Sequence, residues 1–488
     1  MNRRTFIQLA SANVIAHLTG CGGGGGSSGG MGNGGSGGMD NSGTTIINST
    51  QAKRPLPIPP LLTGTNFNLS LQAGNSSFLD GKTTPTYGIN GNFLGPTLKV
   101  RDGAAVTLNV TNNLAENSTL HWHGMHVPGN QDGGPHQVIA PGATWNAAFT
   151  VKQKAGTNWF HPHGEGQTGR MVYQGLAGLL IVEDADTDTL DLPKTWGEDD
   201  IPVILQDRRF NTDGSFAYLS SMMDEMNGML GDTILTNGTV NAEASLPAKE
   251  VRLRLLNGSN ARVYNVAFSD GRGFRQIATD TALLETPVSL AAITLSPGER
   301  AEIVVDLTPD FGKQISLLDT LSNGNLLTLT VNKLPVNTTA LPAFLAALPS
   351  LDPATAVRTR TFSLTMQMGM PMRFLINGQT MDMTRIDQIV PLNDVEIWEI
   401  RNDETDGMTH NFHVHGTHFQ IVERDGSAAN VAAYEKGFKD TVRIPSGGRV
   451  KIILQMTDYT TDATAPYMFH CHILEHEDRG MMGQFIVV

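Results

Sequence analysis

Apolar residues recur at every second position through much of this chain, and that spacing does most to narrow the folds open to it. Val106, Leu108 and Val110 alternate with polar residues, as do Val251, Leu253 and Leu255, and then Val450, Ile452, Leu454 and Met456. Successive side chains on a strand point to opposite faces, so a period of two gives one face for a core and one for water. Asn-Gly, Asp-Gly and Pro-Gly dipeptides cut these runs, as antiparallel sheets require of their turns. Helical spacing is scarce. The best case is Ser221 to Leu230, with Met222, Met226 and Met229.

A chain of 488 residues is too long for one core; about three domains are expected. Two stretches read as connectors: acidic Asp184 to Pro202 with two prolines, and Leu334 to Pro353 with four. They leave pieces of roughly 140, 150 and 135 residues, each the size of one β-sandwich. The expected domains are residues 51–190, 195–345 and 355–488. An internal repeat supports the division. Phe160-His161-Pro162-His163 is followed by Gly178-Leu179-Leu180-Ile181-Val182, and Phe469-His470-Cys471-His472 by Gly483-Gln484-Phe485-Ile486-Val487. The first and last pieces therefore read as copies of one fold. No histidine lies between His163 and His410, so the middle piece is expected to be scaffold.

Residues 1–20 read as an export signal of the twin-arginine type, with Arg3-Arg4-Thr5-Phe6 ahead of a modestly apolar stretch. Leu18-Thr19-Gly20-Cys21 is similar to a lipobox, whose cysteine would become the lipidated first residue; a plain cleavable signal is the alternative. Periplasmic or cell-envelope placement and attachment through Cys21 are the expectations. Residues 21–50 are rich in glycine and serine and read as a tether, about twenty residues of which would reach roughly 25 Å. The net charge of −13 argues against nucleic acid, because phosphate binding needs a basic face. A monomer is expected. Beyond Cys21 the only cysteine is Cys471. An exported chain with one thiol cannot be stapled by an internal disulfide, so Cys471 is either buried and inert or a metal ligand.

Its neighbours decide. Ten of the fourteen histidines fall in four tight groups: His121-Trp122-His123, His161-Pro162-His163, His410 with His413-Val414-His415, and His470-Cys471-His472 with His476. Each group contains a His-x-His pair, whose members share one face of a strand roughly 6.5 Å apart and can reach two neighbouring metal ions. One such pair is usually two polar strand residues. Four pairs, two in each repeat copy, point to a metal cluster where the copies meet. The Cys471 side chain points away from its flanking histidines, and a thiolate with histidine and a long axial methionine makes a blue copper site. His476, Met481 and His410 are the available partners; structural zinc usually takes more thiolates. The first copy has Pro162 and Gln167 in place of Cys471 and His476, so it cannot build a second blue site.

These motifs resemble the multicopper oxidases, the family of laccases and bacterial copper efflux oxidases, over about Thr63 to Val488. Gly95-Pro96-Thr97-Leu98-Lys99-Val100, Asp232-Thr233-Ile234-Leu235-Thr236-Asn237-Gly238 and the ending from His470 to Gly483 carry the likeness. It implies an all-β chain of three consecutive cupredoxin-like Greek-key β-sandwiches with four copper ions. By position, His410, Cys471, His476 and Met481 match the type 1 ligands, and His121 and His413 the type 2 ligands. His123, His161 and His472 match one type 3 copper; His163, His415 and His470 match the other. The implied reaction takes electrons one at a time at type 1 copper and reduces dioxygen to water, with Asp132 and Glu477 at proton-relay positions.

The electron donor stays open between two readings. Soft thioethers select cuprous copper, and Asp406-Gly407-Met408-Thr409-His410 is similar to the cuprous substrate site of copper efflux oxidases, with Asp406 and Met408 matching. The long methionine- and histidine-rich insertion of those enzymes is absent. Met366 to Met372 stands in its place, and its alternating methionines could instead pack one face of a strand. Without the insertion covering the type 1 copper, bulky phenols are expected to reach His410 directly. A copper-binding or storage protein without turnover is the alternative from another class. His126, His136 and His418 sit at no ligand spacing and read as hydrogen-bonding or surface residues.

Overall fold

The computed structural model describes residues 45–335 and 340–488. The signal, Cys21 and most of the tether lie outside the described residues. Six sheets account for nearly all the regular structure, paired face to face as three cupredoxin-like sandwiches. The first sandwich pairs a four-stranded sheet running from Leu61–Thr63 to Gly156–Phe160 with another built on Asn66–Ser76 and Ala105–Asn112. The middle one pairs two six-stranded sheets, and the last pairs two five-stranded sheets. The period-two residues fill the cores as expected: Val106, Leu108 and Val110 in the first, Val251, Leu253 and Leu255 in the middle, Val450, Ile452 and Leu454 in the last. Among the described residues no helix is long and apolar enough to cross a membrane.

The structure adds detail that spacing did not carry. Arg54 and Pro55, ahead of the first sandwich, pair in parallel with Ala242 and Glu243 on the edge of the middle one. The second connector is not free chain: Leu341 and Leu345 are buried against Leu192, Ile277 and Leu283. The helix expected from Ser221 to Leu230 is shorter, Met222–Met226. Ser221 accepts from the Asp224 amide and Asp224 reaches back to the Ser221 amide, a reciprocal cap that fixes where the helix starts. The repeat is visible as form. Strand Gly156–Phe160, helix Thr168–Gln174 and strand Gly178–Glu183 correspond to strand Tyr467–His470, helix Leu474–Asp478 and strand Met482–Val487. The two helices dock, the Thr168 and Gly169 amides donating to the Asp478 carboxylate at 2.9 and 2.9 Å.

Candidate metal centre

Strand His410–Val414 runs between Thr441–Ile444 and Tyr467–His470, with His413 opposite His470. In the first sandwich His121 sits opposite His161 in the same way. These pairings face the four His-x-His pairs toward one another from two sandwiches. All ten histidines of the four groups are buried.

Two sets of donor atoms result. In one, the Cys471 sulfur lies 3.7 Å from His410 Nδ1 and 3.9 Å from His476 Nδ1, and the two nitrogens are 3.2 Å apart. The Met226 carbonyl accepts from His476 Nε2 at 3.1 Å, which puts the proton there and turns the Nδ1 lone pair toward the sulfur. Phe374 stacks on the His476 ring at 4.0 Å. Met481 is fully buried, and its carbonyl accepts from the Cys471 amide at 3.0 Å. Burial pushes the Cys471 thiol up to about 12 and His410 down to about 4. A thiol so placed gives up its proton only to a cation that takes its place.

The second set holds eight imidazoles. His123, His161 and His472 bring nitrogens within 4.8 Å of one another, as do His163, His415 and His470, and as do His121, His413 and His415. The first two trios are those the resemblance assigned to the type 3 coppers. The orientation of the rings is fixed from behind. Nδ1 donates to a main-chain carbonyl in His121 (Asp132, 3.0 Å), His413 (Asp440, 2.8 Å), His161 (Pro162, 2.8 Å) and His470 (Cys471, 3.0 Å). In His415 it donates to the Asp132 carboxylate at 2.7 Å. Each then offers Nε2, and in His121 and His413 that buried atom has no protein partner. The Nε2 atoms of His415 and His470 face each other at 3.2 Å with both protons held at Nδ1, an opposition of lone pairs that a cation between them would relieve. Nitrogen donors so arranged, beside a cysteine and two histidines with Met481 buried in the same core, fit copper.

The expected relay carboxylates lie against this set. Asp132 is buried beneath His415 and His121. Burial raises its carboxyl, and the two imidazoles outweigh that and hold it well below the usual range. Glu477 has its oxygens 3.1 Å from His470 Nδ1 and 3.5 Å from His163 Nδ1. Burial raises it as well, and His163 and His470 bring it down to about 2.

The donor-side residues are split. Met408 is buried at 5% exposure among the core side chains around Cys471, while Asp406 is exposed and accepts from the Met408 amide at 3.0 Å. Met366 to Met372 do not share one strand face. The strand ends at Gln367, Met368 and Met370 are 64% and 90% exposed in the turn, and Met372 is buried. The expected open approach to His410 is also absent, because His410 is fully buried. His126, His136 and His418 are hydrogen-bonded to Gly416 and Asp458, Gln484, and Gly124 respectively. Spacing missed Asp440, whose carboxylate accepts from His123 Nε2 at 2.9 Å, and its partner Arg300. Neither lies in a histidine motif, so the sequence held no signal for them.

Known proteins fall in line with this geometry. Family models described as multicopper oxidase match residues 70–187 and 351–488. The multicopper oxidase mco of Staphylococcus haemolyticus is 39% identical over 450 residues, 90% of this chain and 94% of that protein. The cell division protein FtsP of Escherichia coli is 35% identical over 456 residues, 89% of this chain and 93% of its own. Among solved structures, the laccase-like multicopper oxidase CueO of the lignin-degrading Ochrobactrum sp. superposes with a TM-score of 0.83 at 38% identity, covering 89% of this chain and 100% of that one. With likeness of this extent and two buried donor sets that suit copper, the chain belongs to the multicopper oxidase family, copper-binding oxidoreductases that pass electrons from a reducing substrate to oxygen.

Proposed function

We propose that this chain couples one-electron oxidation of cuprous ion at a type 1 copper to four-electron reduction of dioxygen to water at a three-copper cluster. The observation that carries the reading is the position of Cys471. Its sulfur belongs to one donor set, and the residues bonded to it on either side, His470 and His472, belong to the other. In this reading His410, Cys471, His476 and Met481 hold the type 1 copper, and His121 and His413 the type 2. His123, His161 and His472 hold one type 3 copper, and His163, His415 and His470 the other. When bound, the coppers accept single electrons at the thiolate site and deliver four to dioxygen at the cluster.

The chain's own groups do the rest. The Met226 carbonyl and the Phe374 ring keep His476 aimed at the sulfur. Asp132 holds the proton of His415 at Nδ1, and Glu477 lies beside Nδ1 of His470 and of His163. These two carboxylates are the places from which protons are handed inward. Asp406, exposed, meets the incoming cation; the Met408 thioether, two residues from His410, takes it next. The histidine-free middle sandwich serves as scaffold. Export by the twin-arginine route, attachment through Cys21 and a monomeric state complete the reading.

Phenol oxidation is the second reading, favoured by the Ochrobactrum relative, whose described activity is towards lignin model compounds and lignosulfonate. The burial of His410 speaks for the smaller donor. Steady-state kinetics of copper-loaded protein with cuprous ion, ferrous ion and a bulky phenol, in wild type and in Met408→Leu, separate the two. Leucine keeps the buried volume, at a cost below about 1.5 kcal/mol, and removes the sulfur. Cuprous turnover about ten-fold lower with phenol turnover unchanged is expected, since a soft ligand is lost. Unchanged cuprous turnover sinks the donor assignment, and a blue protein that consumes no oxygen with any reductant points to storage.

A further inference from the structure

His123 is turned the opposite way from its neighbours. His121, His161, His413, His415 and His470 keep the proton on Nδ1 and offer Nε2. In His123 it is Nε2 that is engaged, 2.9 Å from Asp440 Oδ1 and 3.2 Å from Thr441 Oγ1, so Nδ1 is left for the cluster. A carboxylate can only accept, so Asp440 places the proton of His123 on Nε2.

Asp440 is in turn held by a residue of the middle sandwich. Arg300 grips it through both oxygens, at 2.7 and 2.5 Å, and the side chains of both residues are fully buried. The remaining Arg300 donors go to the carbonyls of Thr157 at 3.0 Å, Gly298 at 2.9 Å and Asp280 at 3.1 Å. All five are used, and they tie together all three sandwiches. Gly298 has φ +83°, and a Cβ there would come within 3.1 Å of the His472 ring. The Arg300 segment therefore runs close to His472, leaving no room for a side chain at Gly298, while the Arg300 side chain holds the partner of His123. His123 and His472 belong to one imidazole trio. A buried ion pair adds little stability over a well-packed apolar pair. An apolar pair would, however, leave the Nε2 proton of His123 with only the Thr441 hydroxyl, 3.2 Å away, to accept it.

We infer that Asp440, fixed by Arg300, is a positioning residue that sets the reversed ring orientation of His123. The middle sandwich thereby becomes a working part of the oxygen-reducing site. This rests on the copper reading above. The test is copper reconstitution of the full chain carrying Arg300→Met together with Asp440→Leu, a pair that leaves no unpaired charge. The readouts are copper per chain, blue absorption per chain, the electron paramagnetic resonance signal of the remaining coppers and the circular dichroism of the metal-free protein.

The expected result is native dichroism, wild-type blue absorption and cluster copper affinity lower by about 10- to 100-fold, the usual cost of losing such a partner. Wild-type cluster copper overturns the inference, as does parallel loss of both sites from a folded chain. If the double variant does not fold, Arg300→Lys decides on the same readouts. It keeps the charge and loses the two-pronged grip, and unchanged cluster copper overturns the inference. A wild-type chain that takes up no copper would instead sink the reading beneath it.

Discussion

The first and last sandwiches present the same local scaffold with different side chains at four matching places. The pairings of His121 with His161 and of His413 with His470 set the correspondence. It places Ser118 against His410 and Pro162 against Cys471. Gln167 stands five residues past Pro162 as His476 does past Cys471, and the strand pairings place Leu176 against Met481. In the last sandwich these positions bring a sulfur and two ring nitrogens together. In the first, Ser118 Oγ bonds the Met171 sulfur at 3.5 Å and Leu176 is fully buried. Both copies nonetheless give two His-x-His pairs to the shared cluster. The fold thus decides where ligands can stand, and four side chains decide whether a blue site forms. The cluster belongs to the contact between copies; the blue site belongs to one.

Removing the sulfur breaks this asymmetry outright and is the largest effect expected. Cys471→Ser keeps nearly the volume of a fully buried side chain, and the described residues contain no disulfide for it to disturb. The fold should hold, while blue absorption disappears and donor oxidation falls to the rate without protein. Copper retained by the eight imidazoles, measured per chain, separates the two sites. If colour and electron transfer to dioxygen both survive, the two sandwiches do not differ in the way argued.

Glu477→Gln sharpens the comparison one step down. The residue follows His476 directly, yet its carboxylate lies against His163 of the first sandwich and His470 of the last. The substitution should leave blue absorption and copper content unchanged and slow oxygen consumption by about 10²-fold, the lower end for losing a proton-transfer group. Stopped-flow reduction of the blue site under nitrogen should run at the wild-type rate. Slowed reduction would place Glu477 on the donor side instead.

What could be read from the sequence divides along the same line. The His-x-His pairs and the Cys471, His476 and Met481 run were legible because their members are close in the chain and a strand or short helix turns spacing directly into geometry. The period-two core was legible for the same reason. Asp440 was not, since it meets His123 across 317 positions and Arg300 across 140. Met226 acts through a main-chain carbonyl, which no side-chain pattern encodes. The Met366 to Met372 run misled because alternation holds only while the strand lasts, and this one stops at Gln367. The path to His410 was misjudged because this residue is fully buried, with Phe374, from a strand distant in the chain, holding its ring 6.4 Å from that of His410.

The smallest effect is the most demanding test of the idea that side chains, and not the scaffold, withhold a second blue site. Pro162→Cys restores one of the four differing positions, the sulfur, between His161 and His163. The other three still offer a hydroxyl, an amide and an aliphatic chain, none of them a nitrogen or thioether suited to copper. Blue absorption per chain should stay at its wild-type value, and copper per chain should not rise. The new thiol would stand in the relation to its flanking histidines that Cys471 has to His470 and His472, so any colour it produced would be easy to see. An added blue band would mean that a cysteine on this scaffold is enough by itself, and that the imidazoles of His410 and His476 are dispensable to the colour.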